Sequence, residues 1–297
     1  MSPVRQFLFS CLLLAAVSPL AAAGLAGALT GGSFEYRVVA GDSLTRIAAR
    51  FGEQAPLIAR DNGIGYHSVL HPGQRLKIDN RHVVPPGVAE GLLINLPQRL
   101  LFHFRDGKLL AAYPVGLGRP DWPTPAGTFR VAELRRHPAW HVPPSIQEEM
   151  RREGQAVRTL VPPGPDNPLG EYWIGLSLSG VGIHGTIAPA SVYHFQSHGC
   201  IRLHPDDVAA LYAGVAPGTP GRIVYEPVLL AALPDGSLYL EVNPDAYHRR
   251  GDPGRSLAQL AQAHGLDARI DWAAAQQVLS RRDGIARPIH RNPGEHP

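Results

Sequence analysis

Between residues 92 and 227, apolar positions fall in short runs or alternate with polar ones, the period of strands rather than of helices. Leu92-Leu93-Ile94-Asn95-Leu96 and Arg99-Leu100-Leu101-Phe102-His103-Phe104 read as strands separated by Pro97. Asp106-Gly107 predicts a tight hairpin into Leu110-Ala111-Ala112-Tyr113-Pro114-Val115, since both residues tolerate the positive φ of a two-residue turn. Residues 127–131, 172–176, 181–184 and 222–225 supply further strands. Only 205–213 has helical spacing, with Val208, Leu211 and Tyr212 as its inner face and Gly214 as its stop. Short strands joined by turns predict a mainly β domain, a β-sandwich or barrel. An insertion at 133–170 interrupts it, with Trp140-His141-Val142-Pro143-Pro144, a polar helix-like stretch at 145–154, and a proline-rich run at 161–168. Its aromatic and proline content predicts an ordered flap.

On the N-terminal side, Tyr36-Arg37-Val38-Val39 alternates like a short strand. Asp42 or Ser43 then caps a helix whose apolar positions are Leu44, Ile47, Ala48 and Phe51, ended by Gly52. A second short helix carries Leu57 and Ile58, His71-Pro72-Gly73 turns, and Leu76 and Ile78 share one face of a closing strand. Residues 36–80 are therefore a small α+β (βααβ) module, and 81–91, with Pro85-Pro86-Gly87, a stiff linker. Past the large domain, 228–243 reads as a hairpin about Pro234-Asp235-Gly236 that extends the sheet. A short helical region follows at 254–282, with Ser256 and Asp271 as caps, and packs as a lid on the large domain. The tail at 283–297, rich in Arg, Pro and Gly, reads as disordered.

Composition sharpens this picture at two points. A net charge of +3 supplies no strong field for nucleic acid, and no nucleic-acid motif is present. The first 28 residues read as an export signal: Arg5 is the basic start, residues 7–17 are the apolar run, and Ala21-Ala22-Ala23 offers small residues for cleavage. Cleavage removes Cys11 and leaves Cys200 as the sole thiol, without a partner for an internal disulfide. The expected location is the periplasm.

Cys200 lies in the densest stretch of chemistry in the chain. His184-Gly185-Thr186 precedes Ser197-His198-Gly199-Cys200-Ile201-Arg202-Leu203. Three readings fit these residue types. In nucleophilic catalysis Cys200 attacks as thiolate, one histidine is the base, and backbone N–H groups at Gly199-Cys200 stabilise an oxyanion. In metal binding His184, His198, Cys200 and His204 supply ligands, at a spacing that matches no common zinc pattern. In the third, the cysteine and histidines are satisfied core residues, as His194 and His204 are read to be.

Two resemblances bear on the choice. Residues 36–80, through Gly41-Asp42-Ser43-Leu44, Ile47-Ala48, Asn62 and Pro72-Gly73-Gln74, resemble a LysM module, which implies binding of peptidoglycan glycan strands. His184-Gly185-Thr186 with residues 197–203 resembles the signature of the L,D-transpeptidase catalytic domain (YkuD type). Supporting matches are Tyr113-Pro114-Val115-Gly116, Thr124-Pro125-Ala126-Gly127-Thr128 and Val161-Pro162-Pro163-Gly164-Pro165-Asp166-Asn167-Pro168, the last similar to the Gram-negative periplasmic subgroup. The resemblance implies that Cys200 attacks diaminopimelate in a tetrapeptide stem, releases D-alanine and passes the acyl group to an amine, without cofactor or metal. It implies His184 as the base, oriented by a carbonyl near Gly185. His198, Gly199, Ser197, Arg202 and Thr186 fall on motif positions that shape the site, with Arg202 suited to a stem-peptide carboxylate. The acceptor amine belongs to a second diaminopimelate or to the lysine of an outer-membrane lipoprotein, with water as a third acceptor. The rival reading is a non-catalytic wall-binding protein whose working part is the LysM module.

Overall fold

The computed structural model of the chain describes residues 24–249 and 251–291. Its centre is a nine-stranded sheet that closes into a barrel, because the long strand Lys108–Gly118 pairs with Leu100–Arg105 at one end and with Ile201–Leu203 at the other. Around the ring the order continues through Gly182–His184, Tyr172–Leu176, Gly127–Arg136, Pro220–Val224 and Gly91–Asn95. Phe195–Ser197 is added alongside Lys108–Gly118. The expected hairpin is present, with φ of 50° at Asp106 and 71° at Gly107.

Leu92, Ile94, Leu101, Val115, Leu117, Ile174, Ile183 and Ile201 fill the barrel interior. Alternate residues on two neighbouring strands, Leu93, Phe102 and Phe104, pack outward with Val84. Both faces of these strands are covered, which explains their nearly continuous apolar runs. The helix Pro205–Gly214 closes the interior with Val208 and Leu211.

In the small N-terminal module, Ser33–Arg37 pairs antiparallel with Arg75–Asp79 and flanks the helices Leu44–Phe51 and Ala55–Asp61. Ser43 caps the first helix by accepting from the Arg46 N–H, and Gly52 ends it in the left-handed region at φ 73°. Leu44, Ile47, Ile58, Leu76 and Ile78 form its separate core.

Several expectations outside the barrel are corrected. Residues 81–91 are no free linker: His82–Val83 pairs with Leu29–Thr30, and His82, Val83 and Val84 are buried. His82 lies between the Gly52 carbonyl (3.0 Å) and the Glu241 carboxylate (3.2 Å), which also accepts from the Val83 N–H and the Gln98 amide. Arg50 adds an ion pair to Asp207 at 3.1 Å. Polar bonds to the C-terminal sheet and to Asp207, with Ala49 packed on Val192 and Tyr193, thus seat the small module on the rest of the chain, where proline stiffness alone was expected.

The hairpin Val228–Ala232 and Leu238–Val242 does not extend the barrel either. It forms its own three-stranded sheet with Arg287–Pro288, and the helices Pro253–Ala263 and Trp272–Arg281 pack on that sheet rather than as a lid on the barrel. Asp271 caps the second helix as expected, whereas Asp252 caps the first in place of Ser256. Residues 283–291 are ordered: Ile285, Ala286 and Ile289 are buried, and the strand Arg287–Pro288 completes the sheet. The local Arg-Pro-Gly composition hid three apolar side chains whose burial offsets the cost of ordering them.

Of the segment read as an export signal, residues 1–23 lie outside the described residues. Ala26 is buried and exchanges backbone bonds with Leu230 and Ala232. Cleavage after Ala23 would keep that contact, and cleavage after Ala28 would remove it.

Candidate active site

Strand register brings the two central residues together. Gly182–His184 runs parallel to Ile201–Leu203, with Ile183 opposite Ile201 and His184 opposite Arg202. Cys200 is the residue just before this ladder begins. Cys200, His184, His198, Ser197 and Arg202 line one cavity of about 370 Å³.

His184 is 4 % exposed. Its Nδ1 lies 2.6 Å from the Gly185 carbonyl, an acceptor, so Nδ1 carries the proton and donates. That leaves Nε2 unprotonated, with the Leu169 carbonyl also close to the ring. The ring stacks on Trp173 at 6.0 Å, and a Cβ on Gly182 would meet the Trp173 ring at 2.2 Å, so glycine is what gives Trp173 its place. Burial, with the Arg202 charge second, lowers the imidazole pKa to about 4. At neutral pH His184 is an uncharged base.

Cys200 is a half-buried free thiol whose Sγ lies 3.7 Å from the Gly180 carbonyl. Burial pushes its pKa up, against the smaller opposing effects of the Gly182 backbone N–H and Arg202. The resting pair is therefore thiol and neutral imidazole rather than thiolate and imidazolium. Arg202, itself lowered by burial, places its charge where it acts on both Cys200 and His184.

The other predicted residues shape the turn. Ser197 is buried, and its Oγ donates to the Cys200 carbonyl at 2.5 Å. Gly199 has φ 97°, and a Cβ there would make only ordinary contacts with the Pro123 carbonyl and Trp122, so the backbone conformation rather than crowding requires glycine. Gly185 and Thr186 line a neighbouring cavity of about 450 Å³ beyond the end of the His184 strand. Thr186 Oγ1 accepts from the Ala188 N–H and holds that turn. His204 lies away from the cavity, near Arg50 and capping the helix Pro205–Gly214, so the four residues of the metal reading do not converge.

The insertion supplies residues that sequence patterns did not reveal. Its helix Pro144–Arg152 stands over the cavity and buries none of its own residues. Glu149 reaches inward from it to bond His198 Nε2 and, at 2.7 Å, Arg119 Nη2. These two partners hold its carboxyl below the usual range. Trp122 meets the His198 ring edge-on at 4.9 Å. Asn167, fully buried, donates to the Pro138 carbonyl at 2.8 Å and accepts from the Leu169 N–H at 3.0 Å. That ties the base of the insertion and sets the Leu169 carbonyl near His184. The Asn167 run was visible in the sequence; Glu149, on a polar helix, looked like any solvated residue.

Comparison with known proteins follows this geometry. Residues 89–224 match the family described as the L,D-transpeptidase catalytic domain, and residues 36–79 match the LysM domain. Probable L,D-transpeptidase YcfS of Escherichia coli K12 is 29 % identical over 279 residues, covering 90 % of this chain and 87 % of that protein. Probable L,D-transpeptidase ErfK/SrfK of the same strain is 30 % identical over 250 residues, covering 82 % and 80 %. Probable L,D-transpeptidase YbiS is 34 % identical over 230 residues, covering 74 % of each.

Proposed function

Because the chain belongs to the L,D-transpeptidase family, we propose that it transfers a peptidoglycan stem peptide through a thioester on Cys200. The observation that carries this is the cavity that Cys200 shares with a buried, neutral His184 whose Nδ1 is fixed on the Gly185 carbonyl.

In the first half-reaction His184 Nε2 takes the thiol proton as Sγ attacks the carbonyl of diaminopimelate in a tetrapeptide stem. The C–S bond forms, the C–N bond to the terminal D-alanine breaks, and His184 returns the proton to the departing amine. In the second, an acceptor amine attacks the thioester, His184 removes its proton, and the Cys200 thiol is regenerated. The thiol is not ionised at rest, so proton transfer accompanies attack, and the free enzyme keeps little reactive thiolate. The LysM module, tied through His82 to the C-terminal sheet at Glu241 and through Arg50 to Asp207 on the helix that closes the barrel, holds glycan strands for this site. The acceptor is a second diaminopimelate or a lipoprotein lysine, and the site acts outside the cytoplasm. No helix among the described residues is long and apolar enough to cross a membrane.

Incubation with a disaccharide-tetrapeptide, followed by mass spectrometry, tests the reading. A Cys200-linked adduct with loss of alanine is expected in the wild type and absent in Cys200→Ala. An adduct that persists in Cys200→Ala refutes it. Intact murein binding with a Cys200 that never acylates points instead to a purely wall-binding protein.

A further inference from the structure

Beside the His184 base, the Cys200 cavity contains three further cationic or protonatable donors, Arg119, His198 and Arg202, and two carboxylates, Glu149 and Glu153. The Arg202 guanidinium has no hydrogen-bond partner among the described residues, while Arg119 and His198 share one. That partner is Glu149, with one oxygen on each. Its side chain is 14 % exposed although the helix Pro144–Arg152 that carries it buries nothing. A single carboxylate thus reaches down from a surface helix into a seat made of a guanidinium and an imidazole. Asp121 also pairs with Arg119, at 2.9 Å, but its side chain is 70 % exposed and stands outside the cavity.

We propose that Arg119 and His198 form the seat for a carboxylate of the peptide donor, and that Glu149 fills it in the free enzyme. The proposal rests on the acyl-transfer reading of Cys200. Of the free carboxylates of a tetrapeptide stem, two belong to the residues that flank the scissile bond, one on the D-centre of diaminopimelate and one on the terminal alanine. Either meets in Arg119 and His198 the same charge-assisted bonds that Glu149 makes. Two carboxylates cannot share the seat without repulsion, so donor binding releases Glu149 and frees the helix over the cavity. Arg202 remains open for the second carboxylate.

The test uses full-length wild type, Glu149→Gln and Arg119→Gln with three soluble donors: the free-acid tetrapeptide, and the two forms in which one or the other carboxylate is a carboxamide. Half-saturation and maximal rate of thioester formation are read by mass spectrometry, and equilibrium binding is read by calorimetry on the same three donors in a Cys200→Ala background. Glu149→Gln should lower half-saturation for the free acid about tenfold, with the maximal rate changed less than about threefold, since one competing charged hydrogen bond is removed. One of the amides should lose that gain, and Arg119→Gln should bind the free acid and this amide equally. A fall in maximal rate with half-saturation unchanged, or equal effects on all three donors, overturns the seat. If wild type forms no Cys200 adduct while calorimetry still shows the free-acid preference, the catalytic reading fails and the seat stands.

Discussion

The two walls of the Cys200 cavity are built in opposite ways. On the sheet side His184 is fixed by strands on either hand, stacked on Trp173 and bonded to the Gly185 carbonyl, with almost no exposure. On the insertion side the helix Pro144–Arg152 contributes no buried residue, and its hold on the site is the Glu149 carboxylate. On the acyl-transfer reading proposed above, the sheet wall stores the geometry that proton transfer needs, and the proposed carboxylate seat makes the insertion wall govern what reaches it. Charge follows the same division. Burial strips charge from His184, whereas Glu149 keeps its charge because two partners face it.

The sharpest break in this comparison is His184→Ala. Loss of a positioned general base slows such steps about 10²–10⁴-fold, so thioester formation should fall by that factor. Glu149→Gln, on the other wall, should keep its maximal rate within about threefold. Parallel collapse of both variants, measured as the rate of the Cys200 adduct, would erase the distinction.

Acid titration separates the sheet wall from the LysM module by stability. The His184 imidazole ionises near 4 in the folded chain and near 6.5 when unfolded. Between those values the unfolded state binds more protons, so stability falls as pH drops from 6.5 towards 4, by roughly 3 kcal/mol at most. Glu53, buried in the LysM module, has the opposite sign. Burial raises its pKa from 4.5 to about 8, so the folded state holds the extra proton and loses stability as pH rises through that interval. Denaturant midpoints across pH 4–8 should lose the acid slope in His184→Gln and the alkaline slope in Glu53→Gln. An unchanged acid slope in His184→Gln would mean that its burial is not what holds it neutral.

What the sequence disclosed follows the same line between the walls. The barrel strands, the LysM order and the sheet-borne pair His184 and Cys200 were legible, because strand periodicity and the local motif both report on residues near in sequence or register. Glu149 was not, since a carboxylate on a polar helix has no signature until the insertion folds back over His198. Composition misjudged residues 283–291 for a related reason: Ile285, Ala286 and Ile289 find their partners on a sheet begun at Val228, far back in the chain. His82 gave no hint that it joins two domains, because both of its partners, Gly52 and Glu241, are distant in sequence.

Ser197 stands between Cys200 and Arg119 and gives the smallest effect. Its Oγ donates to the Cys200 carbonyl, and its own carbonyl accepts from the Arg119 N–H at 3.0 Å. Ser197→Ala removes the first bond and leaves the second, which belongs to the backbone. The Cys200 carbonyl then lacks its donor, at a cost of roughly 1 kcal/mol in unfolding free energy. The turn that aims the thiol loosens, while His184, held by other strands, stays in place. Thioester formation should therefore drop by less than about tenfold, an order of magnitude or more short of His184→Ala. Both quantities are measurable on the same preparation, by denaturant unfolding and by adduct mass spectrometry. A fall as deep as that of His184→Ala would mean that the Cys200 turn, rather than the histidine strand, sets the geometry of the sheet wall.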